Sequence, residues 1–349
     1  MVKNSITPNQ LKELVKNIVK LPNPPTLFIW GPPGVGKSYI IHEIAKELKY
    51  DIQPFILSLI DPTELKGFIM PNRNTKEAEI FPLHILPKAP GILFLDEVNT
   101  ASQAVLNAAM RMIQEREVGF EKIPDNIAVI CAGNRIGDKV NVSKLSSAFI
   151  NKCIHLNVET SVEDFKVWAT MNGVCPEVIA FISNYPGELM AEPRNDYPYP
   201  TPRAWEKVSR MMTEIDLKID DKLPLICGLV GDEIGIKFVD FVNNTFDVPE
   251  YLTKIFNGEN IYPKGTEPAK SYMLTASLSQ QACSDYAKLG RVLDYFCNAP
   301  EYFAPFATSS LKTIINAIGE QDFFKYAKGN LSKFTKKYKD LFMGIEGVK

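Results

Sequence analysis

Gly31, Gly36, Lys37 and Ser38 in the stretch GPPGVGKS, residues 31–38, match the spacing G-x-x-x-x-G-K-[ST]. The pattern follows an apolar run, TLFIW, and opens a helical one, YIIHEIAKEL, which is the context a phosphate-binding loop requires. Glycines let backbone N–H groups turn inward on a phosphate without side-chain clash, and the following helix N-terminus adds positive dipole. Gly31, Pro32, Pro33, Gly34, Val35 and Gly36 would form this cradle, with Tyr39 just inside the helix. Lys37 would bridge the β- and γ-phosphates of ATP, and Ser38 would ligate Mg²⁺.

A second chemical centre is GILFLDEVN, where a buried strand ends in Asp96-Glu97. Carboxylates leaving an apolar strand are costly unless something charged meets them. Asp96 is suited to the Mg²⁺ shell, and Glu97 to polarising a water for attack on the γ-phosphate. Such a glutamate points to hydrolysis rather than transfer to a bound acceptor. IAVICAGNR then puts Asn134 at the end of another apolar strand, able to orient the attacking water.

The elements that position these residues follow from the apolar pattern. TLFIW, IQPFILSL, GILFL, IAVICA and KCIHLNV read as strands separated by helices, which predicts a parallel sheet sandwiched by helices, with ligand at the strands' carboxyl ends. Thr7-Pro8 starts an N-terminal helix carrying Leu11, Leu14, Val15, Ile18 and Val19. From Ser161 onward the pattern is helical, in VEDFKVWATM, PEVIAFISNY, RAWEKVSRMMTEI, EIGIKFVDFVNN, AKLGRVLDYFC, SSLKTIINAI and FTKKYKDLF. MAEPRNDYPYPTPR reads as a stiff loop between neighbouring helices. The expected partition is an α/β nucleotide-binding domain over 1–158, an all-α lid over 159–248 and a C-terminal helical region over 249–349.

Composition sets outer bounds. The chain of 349 residues is 45% hydrophobic and carries a formal net charge of -2, which gives no global pull toward nucleic acid. No apolar stretch reaches the roughly 20 residues of a membrane span, and the N-terminus lacks a signal-peptide pattern, so a cytoplasmic protein is expected. Six scattered cysteines without metal spacing read as buried free thiols. His42, His84 and His155 stand alone and are given no catalytic or metal role, and Trp30 is expected to pack near the loop.

The order GPPGVGKS, LDEVN, AGN resembles the AAA+ ATPases over residues about 26–210, and within them the MoxR-type, helix-2-insert branch, whose Walker A and Walker B segments these would be. DPTELKGFIMPNRNTKEAEIFPLHILPKAP, about residues 61–90, resembles that branch's insert, whose hairpin projects toward a ring's central pore. VGFEKIPDN resembles the short hairpin before the sensor strand, and PTPRAW the start of the lid helix, making Arg203 the lid contact to the γ-phosphate. Where family members carry an arginine that reaches a neighbouring subunit's nucleotide, this chain has Lys152 in FINKCIHL. Lysine lacks the planar fork of arginine, so the resemblance implies slow hydrolysis or a finger from elsewhere, with Arg135, Arg111, Arg116 and Arg194 as candidates.

The resemblance implies a cytoplasmic, chaperone-like ATPase using ATP and Mg²⁺. It would assemble as a ring, most readily a hexamer, and act on a protein client, with a von Willebrand factor A domain protein as the associated partner. A slow, ATP-gated binding module is the alternative. A nucleic-acid motor is disfavoured by the acidic balance, since the lysine-rich tail KGNLSKFTKKYKDLF places Leu331, Phe334, Tyr338 and Leu341 on one face, as a packed amphipathic helix would.

Overall fold

The computed structural model describes residues 5–66, 68–72, 75, 77–81, 86–118, 121–135, 145–193, 197–244, 248–327, 337 and 338. The chain divides into two compact units, Met1–Thr160 and Ser161–Lys349.

The first unit begins with β1 (Ser5–Ile6), α1 (Pro8–Ile18), β2 (Leu27–Trp30), α2 (Lys37–Leu48) and β3 (Asp51–Ile56). It continues with α3 (Pro62–Lys66), β4 (Phe68–Pro71), β5 (Ala78–Phe81), β6 (Gly91–Asp96) and α4 (Gln103–Gln114). It closes with β7 (Glu117–Val118), β8 (Glu121–Lys122), β9 (Ile127–Gly133), α5 (Ser147–Ile150) and β10 (Ile154–Val158). Six strands form one sheet in the order β1-β10-β2-β9-β6-β3, and every pairing is parallel. The five apolar runs supply five of its members. The sixth strand, β1, has only two residues and so carries no period that a sequence pattern could show.

Strand alternation divides the sheet's side chains between two cores. Leu27, Ile29, Ile92, Phe94, Ile130 and Ala132 join Leu11 and Val15 of α1 and Ile41 and Ile44 of α2 on one face. Phe28, Leu93, Leu95, Val129 and Cys131 join Leu106 and Met112 of α4 and Phe149 of α5 on the other. Helix α1 is started as its sequence predicts: the Thr7 hydroxyl accepts from Gln10 N–H at 3.4 Å, and Gln10 Oε1 accepts from Thr7 N–H at 3.0 Å. Two antiparallel hairpins, β4–β5 and β7–β8, occupy the segments read as the insert and as the pre-sensor hairpin.

The second unit comprises α6 (Val162–Met171), α7 (Pro176–Asn184), α8 (Pro202–Glu214), α9 (Leu223–Val230) and α10 (Asp232–Asn243). Then come α11 (Val248–Phe256), α12 (Pro268–Ser284), α13 (Leu289–Cys297), α14 (Ala304–Ile318) and α15 (Glu320–Tyr326). Its described residues form no strand. Helix α12 packs on α7 and α14 and feeds two cores, Met273 and Ala276 entering one, Leu274 and Leu278 the other. Most of the lysine-rich tail, with Leu331, Phe334 and Leu341, and also His84 and Arg194, lies outside the described residues. All six cysteines are free, but only Cys131 and Cys175 are buried and the other four are half-buried, so the expectation of buried thiols holds for two.

Among the described residues, no helix is long and apolar enough to cross a membrane. The second unit's first core centres on Trp205, fully buried, whose ring meets Phe181 at 5.2 Å and Phe238 at 5.4 Å while its Nε1–H donates to the Glu188 carbonyl at 2.8 Å. Trp205→Ala removes a large packed ring and orphans that carbonyl, so a loss of about 3–5 kcal/mol in denaturant unfolding is expected. A change below about 1 kcal/mol would contradict this account of the core.

Candidate nucleotide site

The carboxyl ends of β2, β9 and β6 lie side by side, because Trp30 pairs with Gly133 and Leu95 with Cys131. Whatever leaves those ends converges. Leaving β2 is the loop 31–36, tied to β9 by Gly31 N–H donating to Gly133 O at 3.3 Å. Gly34 and Gly36 take φ of 82° and 103°, the left-handed region where a Cβ is unfavourable, and Gly36 is the cap from which α2 begins. Gly31 is close-packed instead, since a Cβ there would fall 3.0 Å from the Val158 carbonyl oxygen.

Lys37 is buried, and its ammonium donates to Gly31 O at 2.7 Å, Pro32 O at 3.1 Å and Asn134 Oδ1 at 3.0 Å. Buried charge survives only with such partners. Ser38 Oγ donates to Asp96 Oδ2 at 2.5 Å, and Asp96 Oδ1 accepts from Glu97 N–H at 2.8 Å. Two bonded pairs, Lys37 with Asn134 and Ser38 with Asp96, thus issue from adjacent residues at the start of α2 and tie it to the ends of β9 and β6. Pro32, Pro33 and Gly34 are half-buried around them, Val35 turns into the core, and Tyr39 is exposed on α2.

Glu97 is exposed at φ 54°, a left-handed setting that costs a non-glycine residue about 1 kcal/mol or more. Its carboxylate accepts a short hydrogen bond from the Ser58 hydroxyl, which stands beyond β3. Sequence reasoning does not reach Ser58: it is 39 positions away, and only the pairing of β3 with β6 brings it near. Nor does it reach Asn99, buried in the turn after Glu97, whose amide bonds the backbone of Asn134.

A hydroxyl and a carboxylate in contact are hard oxygen donors suited to Mg²⁺, which takes one or two protein oxygens and fills its octahedron with water and phosphate. Among the described residues no group of three or more His, Cys, Asp or Glu could hold a metal ion. Ser38 and Asp96 are the residues that would hold it, and the ion would supply charge neutralisation at the phosphates.

Other predicted residues lie elsewhere. Lys152 is exposed in the turn between α5 and β10, its N–H donating to Phe149 O at 3.2 Å. Arg203 is exposed in the first turn of α8, in the second unit. Two finger candidates are engaged within their own unit: Arg111 pairs with Glu115 and Glu117 at 2.9 and 2.8 Å, and Arg116 donates to Pro124 O and Ile127 O at 2.9 and 2.7 Å. Arg135 is half-buried beside Asn134. Trp30 stacks on Phe28 at 4.0 Å and donates from Nε1 to His155 Nδ1 at 2.7 Å, while His155 Nε2 meets Ile150 O at 2.8 Å. The ring is thus held at both nitrogens and packs beside Phe28 and Trp30.

A parallel sheet covered on both faces, with a glycine loop, an acidic strand end and Asn134 converging at its carboxyl edge, has the architecture of a P-loop NTPase fold. Residues 4–167, just under half of the chain, match the family model described as the MoxR domain in the MoxR-vWA-beta-propeller ternary systems. Solved structures are similar only remotely. The Holliday junction branch migration motor RuvB of Thermotoga maritima is 17% identical over 79% of this chain and 83% of its own, with a TM-score of 0.35. NtrX from Brucella abortus is 15% identical over 95% and 67%, with a TM-score of 0.38. No match was found among curated proteins.

Three measurements follow from this geometry. A Cβ on Gly36 meets nothing within 4 Å, so Gly36→Ala acts through backbone strain of about 1–2 kcal/mol rather than collision. It should weaken nucleotide binding about tenfold with the circular dichroism spectrum unchanged, and undiminished affinity would show that the loop's left-handed turn is dispensable. Burial pushes the Cys131 thiol up, and its hydrogen bond to Cys153 draws that thiol down, while burial pushes Cys175 up to about 12. Iodoacetamide at pH 8 should therefore label Cys153 before Cys131 or Cys175, as mass spectrometry of timed digests can read. The neutral Cys175 thiol is matched by a neutral thiol in the unfolded chain below about pH 9, so burial costs nothing there; as pH rises from about 9 toward 12 the unfolded chain gains a thiolate that the native state withholds, and stability should fall across that window.

Proposed function

We propose that this chain hydrolyses ATP with Mg²⁺, and that it works as a subunit of a cytoplasmic ring that remodels or activates a protein client. The observation that carries the reading is the convergence of Lys37, Ser38, Asp96 and Asn134 at the start of α2, with Glu97 at the edge of the group. Lys37 and the loop amides would hold the phosphates, Ser38 and Asp96 the ion, and Asn134 and Glu97 the attacking water. The carbonyls of Gly31 and Pro32 and the Asn134 amide oxygen are neutral acceptors, and an anionic phosphate oxygen competes favourably with them for the same ammonium. The Ser58 bond holds the Glu97 carboxylate aside, so exchange of that bond for water would accompany turnover.

Arg203, in the first turn of α8, supports a role as the second unit's contact to the γ-phosphate, and the β4–β5 hairpin supports a client-gripping element. The family description names von Willebrand factor A and β-propeller proteins, and a partner of the first kind is the one we assign. The slower reading, an ATP-gated recruiter, draws on Lys152: an exposed lysine stands where the resemblance implies arginine. A nucleic-acid motor gains nothing further, given a net charge of -2.

Phosphate release and light scattering test this together. Wild type should release phosphate and grow in mass with ATP, whereas Glu97→Gln should lose about 10²-fold or more of the rate yet still bind and assemble. A chain that stays monomeric with ATP in both forms would rule out the ring. Lys152→Arg is expected to raise turnover, within the roughly 10³–10⁵ that an arginine finger can contribute. An unchanged rate would place the trans-acting charge elsewhere.

A further inference from the structure

Asn99 is the most constrained polar residue near the phosphate loop, 1% exposed in the short turn Val98–Thr100. Its Nδ2–H donates to Asn134 O at 2.6 Å, and its Oδ1 accepts from Asn134 N–H at 3.2 Å. Asn134 has just left β9, which ends at Gly133. A primary amide sets an N–H donor beside a carbonyl acceptor, so Asn99 meets both backbone groups of Asn134 as a neighbouring strand would. Gly133 leaves the space for this: a Cβ there would fall 2.6 Å from Asn99 Oδ1 and 3.1 Å from the Phe28 ring.

The same turn carries Glu97. Thr100 N–H and Oγ1 both bond the Glu97 carbonyl, at 3.1 and 2.8 Å, which closes the turn between the two residues. Beyond the clamp, the Asn134 side chain reaches Lys37 Nζ at 3.0 Å. One rigid turn therefore fixes Glu97 at one end and, through Asn99, the backbone from which Asn134 addresses Lys37.

We propose that Asn99 is a positioning residue for nucleotide discrimination. By pinning the Asn134 backbone, it holds that side chain where it distinguishes a terminal phosphate from its absence, in register with Glu97. The proposal rests on reading this site as an ATP site. A merely structural Asn99 would weaken folding and affect ATP and ADP alike. A positioning Asn99 acts through Asn134 alone.

The test uses the full chain with Mg²⁺, and measures dissociation constants for ATP and ADP in wild type, Asn99→Ala, Asn134→Ala and the double variant. Each single change should lower the ATP-over-ADP preference about tenfold, the scale of a lost hydrogen bond to a charged group, with ADP affinity within about twofold of wild type. The double variant should be no worse than Asn134→Ala, because the residue that Asn99 positions is already gone. Equal weakening of both nucleotides, or losses that multiply in the double variant, would overturn the proposal. Should Asn99→Ala fail to fold, Asn99→Asp keeps the volume and the Oδ1 acceptor but sets a carboxylate oxygen against the Asn134 carbonyl; a wild-type preference in that variant would equally overturn it. Wild type binding neither nucleotide would defeat the reading of the site itself, whereas wild type discriminating normally while the variants shift both affinities alike would defeat Asn99 alone.

Discussion

A buried ammonium dictates the arrangement at the strand ends. Lys37 is largely withdrawn from water, so oxygens must meet its charge, among them the carbonyls of Gly31 and Pro32 and the side chain of Asn134. For the first two to face inward, the loop must double back, which is why Gly34 and Gly36 adopt left-handed conformations. For the third to arrive, β9 must run beside β2 and stop at Gly133, and Asn99 must hold the next residue in place. The order of the sheet, the glycines and the buried asparagine all answer one electrostatic demand.

That demand also explains which parts of the molecule are legible in the chain. Five apolar runs and their intervening helices reveal the parallel sheet, and GPPGVGKS, Asp96-Glu97 and Asn134 reveal the site, because each signal is local. Helices α9, α11, α12 and α15 are not legible in the same way. In α12 the reason is visible: SYMLTASLSQQACS is buried on several sides and so shows no single apolar stripe. Its hydroxyls bond back along the helix, Thr275 to Ser271 O, Ser277 to Met273 O and Ser279 to Thr275 O, so residues that look polar in sequence are satisfied in the core. Ser58 and Asn99 escape for the opposite reason. Their partners are distant in sequence and adjacent only because of strand order.

Lysine and arginine differ here in a way that a motif comparison alone does not convey. Arg111 and Arg116 are bound to carboxylates and carbonyls within their own unit, whereas Lys152 is exposed in the turn before β10. A flexible point charge in that position demands less geometric fit than a guanidinium fork and gives up directional strength.

The contact between Trp30 and His155 carries a practical implication. Trp30 is the residue immediately before the loop, is half-buried, and is coupled through His155 to the carbonyl of Ile150 near the Lys152 turn. The other two tryptophans, Trp168 and Trp205, belong to the second unit. The chain thus has a native optical probe between its phosphate loop and its exposed lysine turn, whose indole emission can report events at either without a dye.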